Sequence, residues 1–245
     1  MIHKNAPCVS TDFKAGEVIL VDKETDWTSF DVVNSIRNFI RREYGFSKIK
    51  VGHAGTLDPL ATGLVIICTG RKTREIDTYQ AREKEYSGSF YLGKTTPSFD
   101  LETEPDQNFP TDHITEEMLK DTARKFTGTI EQIPPVFSAV KINGKKAYEY
   151  ARKKKEVKMR KRLVEIYDFE ITKIKMPEVF FRVRCSKGTY IRSLASDFGK
   201  ALESGAYLAS LRRTAIGSFS VDDAFTVREF KAAYQRETDQ NSPVN

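Results

Sequence analysis

Apolar residues recur along this chain at two spacings, and the two separate helices from strands. Phe30, Val33, Ile36, Phe39 and Ile40 lie three or four apart, the interval that lines one face of a helix. Ser29 stands ahead of them as a capping residue and Gly45 behind them as a terminator. The same interval in Ile191, Leu194, Ala195, Phe198 and Leu202 predicts a helix over 189–202, capped by Thr189. Thr115–Phe126, stopped at Gly128, and Val227–Tyr234 read as further helices, with a helical turn near Ala147–Lys154.

Elsewhere the period is two. Tyr86, Gly88, Phe90 and Leu92 alternate with small or polar residues, which predicts a strand with one buried face. Gly16–Asp22, Lys48–Val51, Leu64–Cys68 and Tyr207–Phe219 also read as strands. Leu163–Ile174 and Val179–Cys185 form a strand pair broken near Met176-Pro177. Strands outnumber helices without alternating regularly with them. The expected class is therefore α+β, with a mixed, largely antiparallel central sheet flanked by helices. No repeat or Gly/Ser-rich linker divides the chain, so residues 1–235 are expected to form a single domain, followed by a frayed tail over 236–245.

Composition removes several classes of function. The longest apolar run, Leu64–Cys68, is far short of the roughly 20 residues of a membrane span. The first nine residues have no signal-peptide core. Cys8, Cys68 and Cys185 are scattered and odd in number, which argues against a disulfide framework or a zinc site and for a cytoplasmic protein. No GxxxxGK[ST] or strand-linked GxGxxG occurs, which removes nucleotide hydrolysis and dinucleotide redox chemistry. With no heptads or exposed apolar stripe, a monomer is the default.

Charge adds a positive indication. Lys141–Arg162 holds eleven basic residues, among them Lys145, Lys146 and Arg152, against Glu149 and Glu156. This segment carries +9, while the other 223 residues carry −3 of the chain's overall +6. Such a patch is the footprint of a polyphosphate partner, and Tyr148 and Tyr150 within it can stack on bases. A solvated lysine-rich surface explains the charge run about as well; an acidic-lipid patch is disfavoured by the missing amphipathic anchor, and nucleic acid leads narrowly.

Three short stretches have the residue types of a site. Val51–Gly63 places Asp58 before Pro59 in a loop with three glycines. Glycine permits close approach of backbone to ligand, and proline holds its predecessor extended or in a turn. A carboxylate so fixed suits a nucleophile or base, although Asp-Pro is also an ordinary turn dipeptide. In Cys185–Arg192, Arg192 falls near a helix N-terminus, where a cation is unfavourable unless an anion pairs with it; a solvent-exposed arginine is the plainer alternative. Tyr86, in Lys84-Glu85-Tyr86, reads as a core tyrosine by default.

Taken in order, GHAGTLDPLATG (Gly52–Gly63), the KxY…LG stretch Lys84–Gly93 and CSKGTYIR (Cys185–Arg192) closely resemble the defining motifs of the tRNA pseudouridine synthase B family, the bacterial tRNA pseudouridine-55 synthases. Ile133–Arg152 and Leu208–Arg213 are lesser matches, and the resemblance extends over roughly residues 16 to 230. It implies a pseudouridine-synthase-like fold with a basic RNA-binding thumb over about 134–162 and no C-terminal PUA domain. It implies an isomerase that needs no cofactor or metal and acts on a uridine flipped out of the T-arm of tRNA.

By the same resemblance, Asp58 is the nucleophile, Tyr86 packs on the target base and Arg192 pairs with the aspartate, with Asp100 joining that network. His53 contacts substrate, Tyr190 and Leu211 line the base pocket, and Lys145, Lys146 and Arg152 hold the RNA backbone. Two stretches depart from the family pattern. Lys23–Ser29 has Glu24 and Asp26 where KPxGxTS has proline and glycine, and Gly70–Arg74 replaces GxATK. Two other readings compete: an RNA-binding or folding module with vestigial catalytic residues, and an enzyme using Asp58 on a small molecule. The joint presence of Asp58, Tyr86 and Arg192 opposes the first, and the +9 segment opposes the second.

Overall fold

The structure, a computed structural model, describes residues 1–5, 11–138, 140–142, 144–152, 157 and 159–236. The first elements are β1 (Val18–Lys23), α1 (Ser29–Glu43), β2 (Val51–His53), β3 (Thr62–Thr69) and α2 (Ile76–Ala81). Then come β4 (Lys84–Leu92), β5 (Lys94–Thr95), β6 (Gln107–Asn108), α3 (Glu116–Lys125) and β7 (Gly128–Gln132). A segment with β8 (Lys141–Ile142), β9 (Lys145–Lys146) and α4 (Ala147–Arg152) leads to β10 (Arg162–Lys175) and β11 (Glu178–Cys185). The chain continues through α5 (Ile191–Ala201), β12 (Ala206–Ile216), β13 (Phe219–Ser220) and α6 (Val227–Tyr234). The class is α+β, as the hydrophobic pattern predicts. Two compact units result: residues up to Gln80 together with those from Ser218, and Ala81–Gly217.

In the first unit β3 pairs antiparallel with β1 (Val18↔Cys68 to Lys23↔Gly63) and with β2 (Val51↔Thr69 to His53↔Ile67). The run Leu64–Cys68 is wholly buried, which explains its lack of alternation. Helix α1 supplies Val32, Val33, Ile36, Phe39 and Ile40 to the core. Phe30, expected in that stripe, is instead 59% exposed. It lies a full 100° step from Ser29, whose side chain faces inward. Phe13, Phe39, Phe225, Phe230 and Tyr234 form an aromatic cluster, edge-on between Phe39 and Phe230 at 5.8 Å and stacked between Phe230 and Tyr234 at 5.0 Å.

The cap of α1 also differs from expectation. Thr28 accepts from Asp31 N–H, and the Asp31 carboxylate accepts from Thr28 N–H, a reciprocal capping box. Ser29 is thereby released to face the interior.

The second unit is an antiparallel sheet in the order β12-β4-β11-β10-β7. Helices α3 and α5 pack against it, and Phe90, Phe169, Phe181 and Phe198 form the interior. Gly88 is required where β4 meets a bulge of β12, since a Cβ there would lie 2.2 Å from the Ser210 carbonyl oxygen. Alternate residues of β11 face outward, where Arg182 pairs with Glu85, Asp168 and Glu170. The turn at Met176-Pro177 joins β10 to β11, as the sequence predicts.

The segment between β7 and β10 has a two-residue hairpin, Lys141↔Lys146, followed by α4. Lys153, Lys154, Lys155, Glu156 and Lys158 lie outside the described residues, as does the tail from residue 237. Among the described residues no helix is long and apolar enough to cross a membrane, and no three His, Cys, Asp or Glu side chains are grouped to hold a metal.

Candidate active site

In the first unit, the loop between β2 and β3 carries Asp58 half-buried, and the residues on either side of it are fastened. Before it, Leu57 N–H donates to Ser29 Oγ at 2.9 Å, and Ser29 Oγ donates to the Leu57 carbonyl at 3.3 Å. After it, the Pro59 carbonyl accepts from Asp26 N–H at 2.9 Å and from Lys23 Nζ at 3.1 Å. Lys23, fully buried, also donates to the carbonyls of Glu24 and Trp27 at 2.9 and 2.7 Å. The Ala61 N–H closes the turn onto the Asp58 carbonyl at 3.1 Å.

The departures at Glu24 and Asp26 leave this arrangement intact. Asp26 stands where the family motif has glycine and adopts φ +64°, a left-handed conformation that aspartate tolerates better than most residues. Lys23 is thus an interior brace, a role that its place in a charged stretch did not reveal. His53 ends β2, opposite Ile67 and five residues before Asp58.

In the second unit, Arg192 is 4% exposed and lies in the first turn of α5. Its Nε is 3.4 Å from Asp100 Oδ2, and Nη1 donates to the Ser98 carbonyl at 3.4 Å. Asp100, 6% exposed, thus supplies the anion that a cation at a helix N-terminus requires. The residue at the N-cap is Tyr190 rather than Thr189, whose hydroxyl donates to the Ser186 carbonyl at 2.9 Å. Tyrosine cannot cap with its side chain, and Gln132 from β7 serves its backbone instead. Gln132 Oε1 accepts from Tyr190 N–H at 2.7 Å, and Nε2 donates to the Tyr190 carbonyl at 3.0 Å. The Arg162 guanidinium lies 5.3 Å over the Tyr190 ring.

Tyr86 is buried on β4, flanked by Val183 of β11 and Arg213 of β12, and Leu211 stands opposite Gly88. Arg213 is 1% exposed. Nothing in the spacing distinguishes it from Arg212; the strand register does. Burial, with the Arg213 charge, pushes the Lys84 ammonium down to about 8. The structure therefore brings together Arg192 with Asp100, and Tyr86, Leu211 and Arg213 on adjoining strands. Asp58 and His53 belong to the other unit. Lys145, Lys146 and Arg152 lie in β9 and at the end of α4.

A fold of this class, with an aspartate braced in a glycine-punctuated loop, finds its counterparts among enzymes that isomerise uridine in RNA. A family model described as "TruB family pseudouridylate synthase (N terminal domain)" matches residues 41–191. A second, "tRNA pseudouridylate synthase B C-terminal domain", matches residues 192–244. The chain belongs to the TruB family of pseudouridylate synthases, which are isomerases.

Among its relatives, the tRNA pseudouridine synthase B of Flavobacterium johnsoniae is 51% identical over 225 residues, 91% of this chain and 98% of that protein. That of Phocaeicola vulgatus is 53% identical over 219 residues, 89% and 93% of the two chains. Among solved structures, a chain of a Cbf5–Nop10–Gar1 complex aligns with a TM-score of 0.69 at 29% identity. A chain of an H/ACA ribonucleoprotein bound to a substrate RNA containing 2′-deoxyuridine aligns at 0.65 and 27%. Each covers 90% of this chain, which spans about half the length of both.

Proposed function

We propose that this protein converts uridine 55 in the T-loop of tRNA to pseudouridine, with Asp58 as the nucleophile on a flipped-out uridine. The observation that carries the reading is the half-buried Asp58, braced on both sides in the GTLDP loop of a chain about half identical to named tRNA pseudouridine synthases. The reaction breaks N1–C1′, turns the uracil and forms C5–C1′. The C5 proton leaves and N1 gains one, so no oxidant or second substrate is needed. Asp58 attacks C1′ or assists departure of the base by a glycal route.

Arg192 carries five N–H donors in its fork, enough for Asp100, the Ser98 carbonyl and, in this proposal, the Asp58 carboxylate. Such pairing would orient the nucleophile and give its carboxylate a charged donor. Tyr86 and Leu211 pack against the base, Tyr190 lines the pocket, and His53 contacts the RNA. Flipping costs about a few kcal/mol. Backbone contacts from Lys145, Lys146 and Arg152 in the basic thumb offset this, with shape supplying more recognition than base edges.

The test uses unmodified tRNA transcript tritiated at uracil C5, with the product mapped by carbodiimide adducts. Wild-type protein is expected to release one tritium per tRNA and to place the adduct at position 55, and Asp58→Ala to release none. An adduct elsewhere overturns the site, and undiminished release by Asp58→Ala overturns the nucleophile.

A further inference from the structure

The basic segment leaves the sheet at Gln132, the last residue of β7, and returns at Arg162, the first of β10. These two are direct partners in the antiparallel register, so their side chains share a face. Both turn to Tyr190. The Gln132 amide occupies both the N–H and the carbonyl of that residue, at 2.7 and 3.0 Å, and is itself 1% exposed. The Arg162 guanidinium covers its ring.

Neighbouring contacts continue the attachment. Ser193 Oγ donates to the Ile133 carbonyl at 2.7 Å, and Ser186 exchanges two hydrogen bonds with Glu165, at 2.8 and 2.9 Å. The approach to α5 and its first turn are thus fixed to the roots of the basic segment, and Arg192 lies two residues beyond Tyr190.

We propose that Gln132 and Arg162 are positioning residues that tie the RNA-clasping segment to the base pocket, Gln132 by setting the Tyr190 backbone and the turn bearing Arg192, Arg162 by setting the Tyr190 ring. This rests on the reading that Tyr190 and Arg192 face the substrate uridine. RNA seated on the segment then acts on the pocket through side chains at its own two roots.

Single-turnover isomerisation and RNA affinity, measured separately on a T-arm RNA, test the assignment. Gln132→Leu is expected to slow the chemical step about 10- to 100-fold, the cost of misplacing a reacting group by about an ångström. RNA affinity should stay nearly unchanged, the signature of an interaction expressed beyond binding. Arg162→Gln should slow it about 2- to 5-fold, and that effect should vanish in a Tyr190→Leu background, whereas the Gln132→Leu effect should persist there.

Gln132→Glu supplies the readout that a purely structural role would not move. Its carboxylate accepts from Tyr190 N–H but cannot donate to the carbonyl until protonated. The ratio of variant to wild-type rate should therefore rise as pH falls. If Gln132→Leu does not fold, this ratio and the Arg162→Gln cycle decide the matter. A flat ratio, or an Arg162→Gln effect undiminished without the Tyr190 ring, overturns the proposal while the proposed function stands. Wild-type protein that makes no product overturns both.

Discussion

Replacing Lys23 by methionine keeps the length of the side chain and removes the ammonium that braces the loop of Asp58. Three carbonyls, those of Glu24, Trp27 and Pro59, lose a charged donor at 2.9, 2.7 and 3.1 Å. An acceptor stripped of its partner inside a protein costs about 1–3 kcal/mol. Against this stands the recovered desolvation of a fully buried ammonium, several kcal/mol by itself. Because the Pro59 carbonyl still accepts from Asp26 N–H, the other two carbonyls set a small net loss of about 1–2 kcal/mol, which at this chain size lowers the melting temperature by roughly 2–8 °C. Because Pro59 follows Asp58 directly, the carboxylate shifts with it, and product formation should fall about 100-fold. Circular dichroism melting and single-turnover tritium release measure the two effects. A Lys23→Met protein that melts with the wild type and forms product at the same rate would refute the brace.

Three further outcomes are expected. Lys84→Met alters the pH dependence of stability. The unfolded chain holds this proton up to the ordinary 10.5 and the native form releases it near 8. The unfolded state thus binds more protons in that interval, and native stability rises with pH across it. Urea unfolding at pH 7.5 and pH 10 should show the wild type gaining about 1–3 kcal/mol relative to Lys84→Met. Asp100→Asn leaves buried Arg192 without the carboxylate at 3.4 Å and should cost about 3 kcal/mol in the same assay, much of it recovered by also replacing Arg192 with methionine. Thr28→Ala breaks the capping box of α1 at a cost of about 1 kcal/mol. It should also let Asp31 titrate at higher pH by NMR, because the Thr28 hydroxyl and N–H are what hold that carboxyl low.

Helices and strands were readable from spacing because each buries one face, and burial imposes its period on the residues. Hence α6 falls at Val227–Tyr234, as expected, and α3 lies within the expected Thr115–Phe126. The errors fall at the ends of elements. Thr28, rather than Ser29, caps α1, and Tyr190, rather than Thr189, holds the N-cap of α5. Thr28 and Ser29 both carry a hydroxyl able to cap, and only the path of the chain decides which residue stands at the helix end. Strand β2 begins at Val51, later than the apolar pattern suggests, and the short helix α2 left no clear periodic trace.

The candidate residues divide in the same way. Three motifs in order were enough to mark the family, and with it Asp58, Tyr86 and Arg192 as candidate site residues. Tertiary structure alone turned Lys23 from a member of a charged stretch into a buried brace and distinguished Arg213 from Arg212. It also put Asp100, expected in the Arg192 network by resemblance, at 3.4 Å from that guanidinium and gave Gln132 the backbone of Tyr190, 58 residues away. A periodic pattern records how one element meets the interior. A polar contact depends on where two distant elements cross, and that position is decided by packing, to which the residues at the contact contribute only a small part.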